Sequence, residues 1–218
     1  MSTGLTLALD GSTYAGSVAV LRDTTVIAER QLPDSVTPGR GGRDENFLPM
    51  VAATLEEAGV AVSELDRIVC GAGPGSFTSL RVAASIAKGI AVGAGCELYA
   101  VSSLMLIASG EPPGRYVVTL PAMRGEAFVA VFDTGDDHVV ELRSPAIVAE
   151  SEVPGIALEA GAKVSRALPR ASAVARTLRQ VIEAGPRDVN TWEPVYGRLA
   201  EAQVKWEAAH GRPLTGAG

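Results

Sequence analysis

Gly71-Ala72-Gly73-Pro74-Gly75-Ser76-Phe77-Thr78-Ser79-Leu80-Arg81 follows a short apolar run, Ile68 to Cys70, and precedes a nearly uncharged stretch, Val82 to Gly93. That order predicts strand, tight glycine loop, helix. Glycines let a backbone take positive φ and approach its neighbours closely. The helix start offers unpaired N–H groups and the positive end of a dipole, which together suit a phosphate. Two readings stay open. The loop contacts a ligand, or its glycines let the strand-to-helix corner pass close to the turn at Asp10. It is not a Walker loop, because no Gly-Lys-Ser/Thr follows. It is not the dinucleotide fingerprint either, because Thr78 stands where a third glycine belongs.

Working outward, the helix from about Phe77 to Gly93 is apolar nearly all round. Leu80, Ala83, Ala84, Ala87 and Ala91 cover one face, and Val82, Ile86, Gly89 and Gly93 another. Only Arg81 and Lys88 mark a polar stripe. Such a helix is buried on two sides. Upstream, Leu5–Asp10, Gly16–Leu21 and Thr24–Gln31 read as a β-meander with turns at Asp10-Gly11 and Arg22-Asp23. Residues 33–43 read as loop. Asp44 to Gly59 reads as a helix, capped by Asp44 or Asn46, with Phe47, Val51, Leu55 and Ala58 on one face. Asp66–Gly71 supplies the next strand.

Downstream, Leu98–Val101 reads as a strand, and Ser102 or Ser103 caps a short helix through Ser109. Glu111-Pro112-Pro113-Gly114 punctuates the chain, and the expected division is 1–110 and 111–218. Arg115–Leu120, Ala127–Asp133 and Val139–Leu142 read as strands, and Ser172–Ala184 as a helix. Leu199, Ala202, Trp206 and Ala209 suit a terminal helix, followed by a disordered tail from Gly211 to Gly218.

Hydrophobic residues make up 47% of the 218, and aromatics only 5%. A core of Ala, Val, Leu and Ile favours α/β layers over an aromatic-rich β-sandwich. The formal net charge of −6 disfavours autonomous nucleic-acid binding, because phosphate neutralisation supplies most of that affinity. Cys70 and Cys96 lie in apolar surroundings and read as inert thiols, not a disulfide framework. No leader-like n-region and no bilayer-length apolar stretch is visible, so the expectation is a soluble cytoplasmic protein without a membrane role.

The second candidate motif is Asp10-Gly11-Ser12-Thr13, at the end of the first strand. A carboxylate, a glycine and two hydroxyls there suit a metal-bound phosphate, the placement used by the actin, Hsp70 and sugar-kinase superfamily. The plain alternative is a hairpin turn. With about sixty residues between them, this motif and the glycine loop carry a specific resemblance. Leu7 to Thr13, Asn46 to Val51 and Gly73 to Arg81 belong to it, as do Val101-Ser102-Ser103-Leu104, Arg124-Gly125-Glu126 and Glu193-Pro194-Val195-Tyr196. Over residues 5–206 the chain resembles the TsaB (YeaZ) family of the tRNA threonylcarbamoyladenosine machinery.

That resemblance implies an RNase H-like, actin-type α/β fold with two subdomains. It implies a non-catalytic subunit that binds and activates a larger catalytic paralogue, TsaD, and works with an ATPase, TsaE. The assembly places a threonylcarbamoyl group on N6 of adenosine 37 in tRNAs reading ANN codons. On this view the chain has no cofactor or metal of its own, ATP and Mg enter through the complex, and tRNA is met indirectly. Asp10, Gly11, Ser12, Thr13, Gly73, Gly75 and Ser76 would be a vestigial phosphate or nucleotide site. Dimerisation in the family uses the two N-terminal helices, so Phe47, Met50, Val51, Val82 and Ile86 are the expected interface anchors. The same helices suit a homodimer when the partner is absent.

The sequence departs from the family pattern at Arg43 (often histidine), Ser79 (glycine), Pro121 (aspartate), Phe128 (tyrosine) and Gly197 (leucine). The two histidines, His138 and His210, lack zinc-site spacing, and no nucleophile elbow exists. Arg124 and Glu126 suit a strand-end ion pair, Arg40 and Arg43 solvated loop charge, and Trp192 and Trp206 packing anchors. The alternative function is an ATP-dependent phosphotransferase or ATPase of the actin-like superfamily, with Asp10 holding Mg²⁺ through water.

Overall fold

The computed structural model of the chain describes residues 4–32 and 46–197. Arg40, Arg43, Asp44, Trp206, His210 and the expected terminal helix and tail lie outside those residues.

The meander forms as read: β1 (Leu5–Asp10), β2 (Ser17–Arg22) and β3 (Thr25–Gln31) pair antiparallel. α1 (Phe47–Ala58) follows, closed by Gly59 in the left-handed conformation. β4 (Arg67–Gly71), α2 (Phe77–Ala94) and β5 (Glu97–Val101) then place two strands parallel to β1. The five-stranded sheet has the order β3-β2-β1-β4-β5. Strand alternation divides its side chains between two faces. Leu5, Leu7 and Leu9 turn toward α1 and α2, and Ala8 turns the other way.

α3 (Ser103–Gly110) leads to β6 (Gly114–Pro121), β7 (Glu126–Thr134) and β8 (Val139–Ala149). α4 (Val153–Ala160) and β9 (Lys163–Ser165) complete a second, mixed sheet of order β8-β7-β6-β9. α5 (Val174–Glu183) returns to the first sheet, where Val174, Leu178 and Val181 pack on Ala8, Ala19 and Tyr99. α3 serves both sheets. Its Leu106 joins the first core, while Leu104, Ile107 and Ala108 pack on Tyr116, Val118 and Phe132 of the second.

α4 and β9 are absent from the sequence reading, and β8 runs seven residues past the expected Leu142. Pro145 reads as a break, yet an edge strand tolerates a missing N–H. Pro154 reads the same way, but it lies in the first turn of α4, where its N–H has no helical partner. Among the described residues no helix is long and apolar enough to cross a membrane.

Candidate functional site

β1 ends at Asp10, which is fully buried. Its Oδ1 accepts from the Ser12 N–H (3.0 Å) and the Ser12 hydroxyl (2.7 Å). Its Oδ2 accepts from the Ser103 hydroxyl (2.6 Å), which itself accepts from the Gly73 N–H (3.1 Å). The Ser76 N–H donates to the Ser12 carbonyl (2.8 Å). So the structure brings together Asp10, Ser12, Gly73 and Ser76, and it joins them to one another. The groups that would hold a metal-bound phosphate, namely the carboxylate, the Ser12 hydroxyl and the amides of Gly73 and Ser76, are spent inside the chain. As held here, these four residues are bonded to one another or to Ser103. Among the described residues no cluster of His, Cys, Asp and Glu is arranged to hold a metal ion.

The glycines of the loop each have an internal reason. A Cβ at Gly71 would overlap the Asp10 carboxylate, and one at Gly75 the Ser12 carbonyl. Gly73, at φ +85°, faces the Val195 carbonyl, and Gly11 faces that of Ser79. Of the two sequence readings, this geometry is that of the close-packed corner.

Burial holds the Asp10 carboxyl above the usual aspartate range, partly offset by the hydrogen bonds from Ser103 and Ser12. A group whose pKa is raised on folding adds stability below its unfolded value and loses that contribution as pH rises through the folded value. Asp10→Asn removes the titration. The stability difference, variant minus parent, is therefore expected to climb with pH from acid to neutral in denaturant titrations, and a flat difference would contradict the assignment. Burial, then the Asp10 charge, pushes the Cys70 thiol up as well, as expected of an inert thiol.

Residues 187–197 run over this corner as a strap. The Arg187 N–H donates to Leu98 (2.7 Å) beside β5, and the Val195 N–H to Ala72 (2.7 Å) in the glycine loop. Tyr196 contacts Phe77, ring centroids 4.5 Å apart, and donates to Glu193 (3.0 Å). Lys88 reaches Glu193 (3.4 Å) and lies 5.9 Å from the Trp192 ring centre. Arg81 stands over Phe77 at 5.4 Å. The polar stripe of α2 is therefore the seat of the strap, and Glu193-Pro194-Val195-Tyr196 is the segment that occupies it. Between the sheets lies a cleft of about 730 Å³ lined by Pro74, Ser102, Phe128, Ile147 and Trp192. Ser102 caps no N–H of α3, and its buried hydroxyl has no hydrogen-bond partner among the described residues.

Two departures from the family pattern meet here. Gly197, at φ +69°, leaves room for Phe128, whose ring a Cβ there would overlap. Ser79 is buried, its hydroxyl 3.1 Å from that of Ser76. Arg124 lies between Met123 and Gly125 in the turn joining β6 to β7, and all three take positive φ. Pro121 is the exposed last residue of β6.

The expected interface anchors need correction. Phe47, Met50 and Val51 are 3%, 7% and 1% exposed, so they belong to the chain's own core. Their i, i+3, i+4 spacing marks the face of α1 that covers the sheet. Val82 and Ile86 are half-buried against the same core. The exposed residues of α1 and α2 are Leu48 (55% exposed), Pro49, Ala52, Glu56 and Glu57 on the first, and Thr78, Arg81, Ser85, Gly89, Val92 (67%) and Gly93 on the second. A Cβ at Gly89 or Gly93 would meet nothing within 4 Å among the described residues. Glycine inside a helix costs roughly 1 kcal/mol relative to alanine, and nothing in this chain's described packing requires it at either position.

Two mixed sheets with helices on their faces, joined through α3, define an actin- and sugar-kinase-like fold. The chain matches the family described as TsaD: tRNA N6-adenosine threonylcarbamoyltransferase over residues 36–188. It is 33% identical over 138 residues to the tRNA threonylcarbamoyladenosine biosynthesis protein TsaB of Escherichia coli, covering 61% of this chain and 57% of that protein. An uncharacterized Mycobacterium tuberculosis protein is 34% identical over 166 residues, 74% of each chain. YeaZ from Pseudomonas aeruginosa superposes with a TM-score of 0.73 at 25% identity, covering 88% of this chain and 99% of that one. The chain belongs to this family, in its TsaB (YeaZ) branch.

Proposed function

We propose that the chain is a non-catalytic scaffold subunit in the biosynthesis of threonylcarbamoyladenosine in tRNA. It binds a TsaD-type catalytic paralogue through the outer face of α1 and α2 and holds it in its active form by mass action. A TsaE-type ATPase completes the assembly, ATP and Mg enter through the complex, and the acidic chain meets tRNA only indirectly. The product is the threonylcarbamoyl group on N6 of adenosine 37 in tRNAs reading ANN codons. Without its partner the same face supports a homodimer.

The observation that carries the reading is the outward line of small residues on α2, Ser85, Gly89 and Gly93, set among exposed Val92 and Leu48. Helical glycines with no neighbour among the described residues suit a second backbone that approaches closely. The closed Asp10 corner also supports a subunit that leaves the chemistry to another chain. Depletion of this protein in its own organism is expected to remove threonylcarbamoyladenosine from tRNA hydrolysates analysed by mass spectrometry. Re-expression of the full chain should restore it, and a modification that persists through depletion would overturn the reading.

A further inference from the structure

α5 packs on the first sheet through Val174, Leu178 and Val181, but one flank of it is turned to the second half of the chain. Arg176 and Gln180, four residues apart, share that flank with Thr177, three residues before Gln180. Arg176 donates to the carbonyl of Glu111, just past the end of α3. The Thr177 hydroxyl lies 3.5 Å from that of Ser109 in α3. Gln180 bypasses α3. Its side-chain carbonyl accepts from the Val139 N–H (3.1 Å), and its side-chain amide donates to the Val139 carbonyl (3.1 Å).

Val139 opens β8, an edge strand of the second sheet. Antiparallel pairing leaves the N–H and C=O of alternate residues pointing away from the partner strand. Val139 is such a residue: β7 lies on one side of it, and both of its polar backbone groups meet Gln180 on the other. A primary amide offers the same donor and acceptor as a peptide group, so Gln180 stands in for one rung of a neighbouring strand. Val139 is 1% exposed, and without Gln180 both groups would be buried unpaired.

We propose that Gln180 is a latch that fixes the second sheet against the first and so sets the width of the cleft between them. α3 joins the two cores, but a single short helix is also a pivot. A direct bond from α5 to β8, outside α3, removes rocking about it. Such rocking bears on the cleft, because β8 forms one wall of it through Glu141, Pro145 and Ile147. The ends of β4 and β5 and the strap form the other walls, at Pro74, Ser102 and Trp192. Glu141 stands only two residues from the latched Val139.

Gln180→Met keeps the length of the side chain and loses both bonds. Spin labels on the exposed residues Thr25 of β3 and Arg143 of β8, attached through Thr25→Cys and Arg143→Cys with Cys96→Ser, report the separation of the two sheets in the full chain. The parent is expected to give one narrow distance distribution, and Gln180→Met a broader one with longer distances added. In the same variant the Val139 amide is expected to exchange about tenfold faster, as loss of one net hydrogen bond implies. Faster exchange with an unchanged distance distribution would overturn the latch, since Gln180 would then only satisfy a strand edge. No change in either measurement would overturn it too. Should the variant fail to fold, hydrogen exchange of the parent decides. A closed latch protects the Val139 amide as well as those of Leu178 and Val181 are protected, and much faster exchange at Val139 would show that the bond opens on its own.

Discussion

Gly89→Leu is expected to weaken binding of the catalytic paralogue roughly 100-fold, ~3 kcal/mol, while leaving the isolated chain as stable as before or slightly more so. The two effects have opposite signs for a stated reason. Among the described residues, a Cβ at Gly89 meets no atom within 4 Å, and a glycine leaving a helix interior recovers about 1 kcal/mol. In the complex the new side chain would occupy the space of the partner's backbone, and overpacked contacts are not relieved cheaply. Gly89→Ala should fall between, gaining stability and losing part of the affinity. Thermal unfolding and titration of the same samples measure both quantities. A variant that binds normally would place the partner elsewhere, and one that melts early would show that the glycine serves the chain itself.

Gly71→Ala is the largest expected loss of stability. Its methyl group would coincide with Oδ2 of Asp10, a carboxylate that is fully buried and tied on both oxygens. Either the carboxylate moves, breaking its bond from Ser103, or β4 shifts against β1. Severing a buried polar network of this kind costs on the order of 3–5 kcal/mol, a fall of roughly 10 °C in melting temperature for a chain of this size. Gly161→Ala, at a helix end with open space around its Cβ, gives the comparison. It bears only the strain of its left-handed backbone, about 1 kcal/mol. Equal losses at the two sites would mean that the neighbouring acid yields to the added methyl group and does not require a glycine at Gly71.

The elements read from alternation and periodicity are those whose pattern survives without context. β1 to β5, α1 and α2 fall within a residue or two of their expected bounds, apart from the start of α1. α4 was hidden because Pro154 and Gly155 stand in its first turn, and the second half of β8 because Arg143, Ser144 and Pro145 read as a turn. The site was legible as a set of residues but not as an arrangement. Asp10, Ser12, Gly73 and Ser76 do meet, yet only coordinates show that their polar groups point at one another. The interface anchors show a different limit. Periodicity finds an apolar face on a helix but not what covers it, and so it selected Phe47, Met50 and Val51, which are covered by their own sheet. Gly89 is a different kind of signal, a poor helix former inside a long helix, and only coordinates show that no described residue lies within 4 Å of a Cβ placed there.

α3 has a consequence for motion. Its eight residues are wedged between two cores, with Leu106 rooted in one and Leu104 and Ile107 in the other. To swing one lobe away from the other, as a jaw closing on a nucleotide does, the chain would have to tear this shared wedge out of grease on one side or the other. The shared wedge therefore ties the two halves of the molecule into one block.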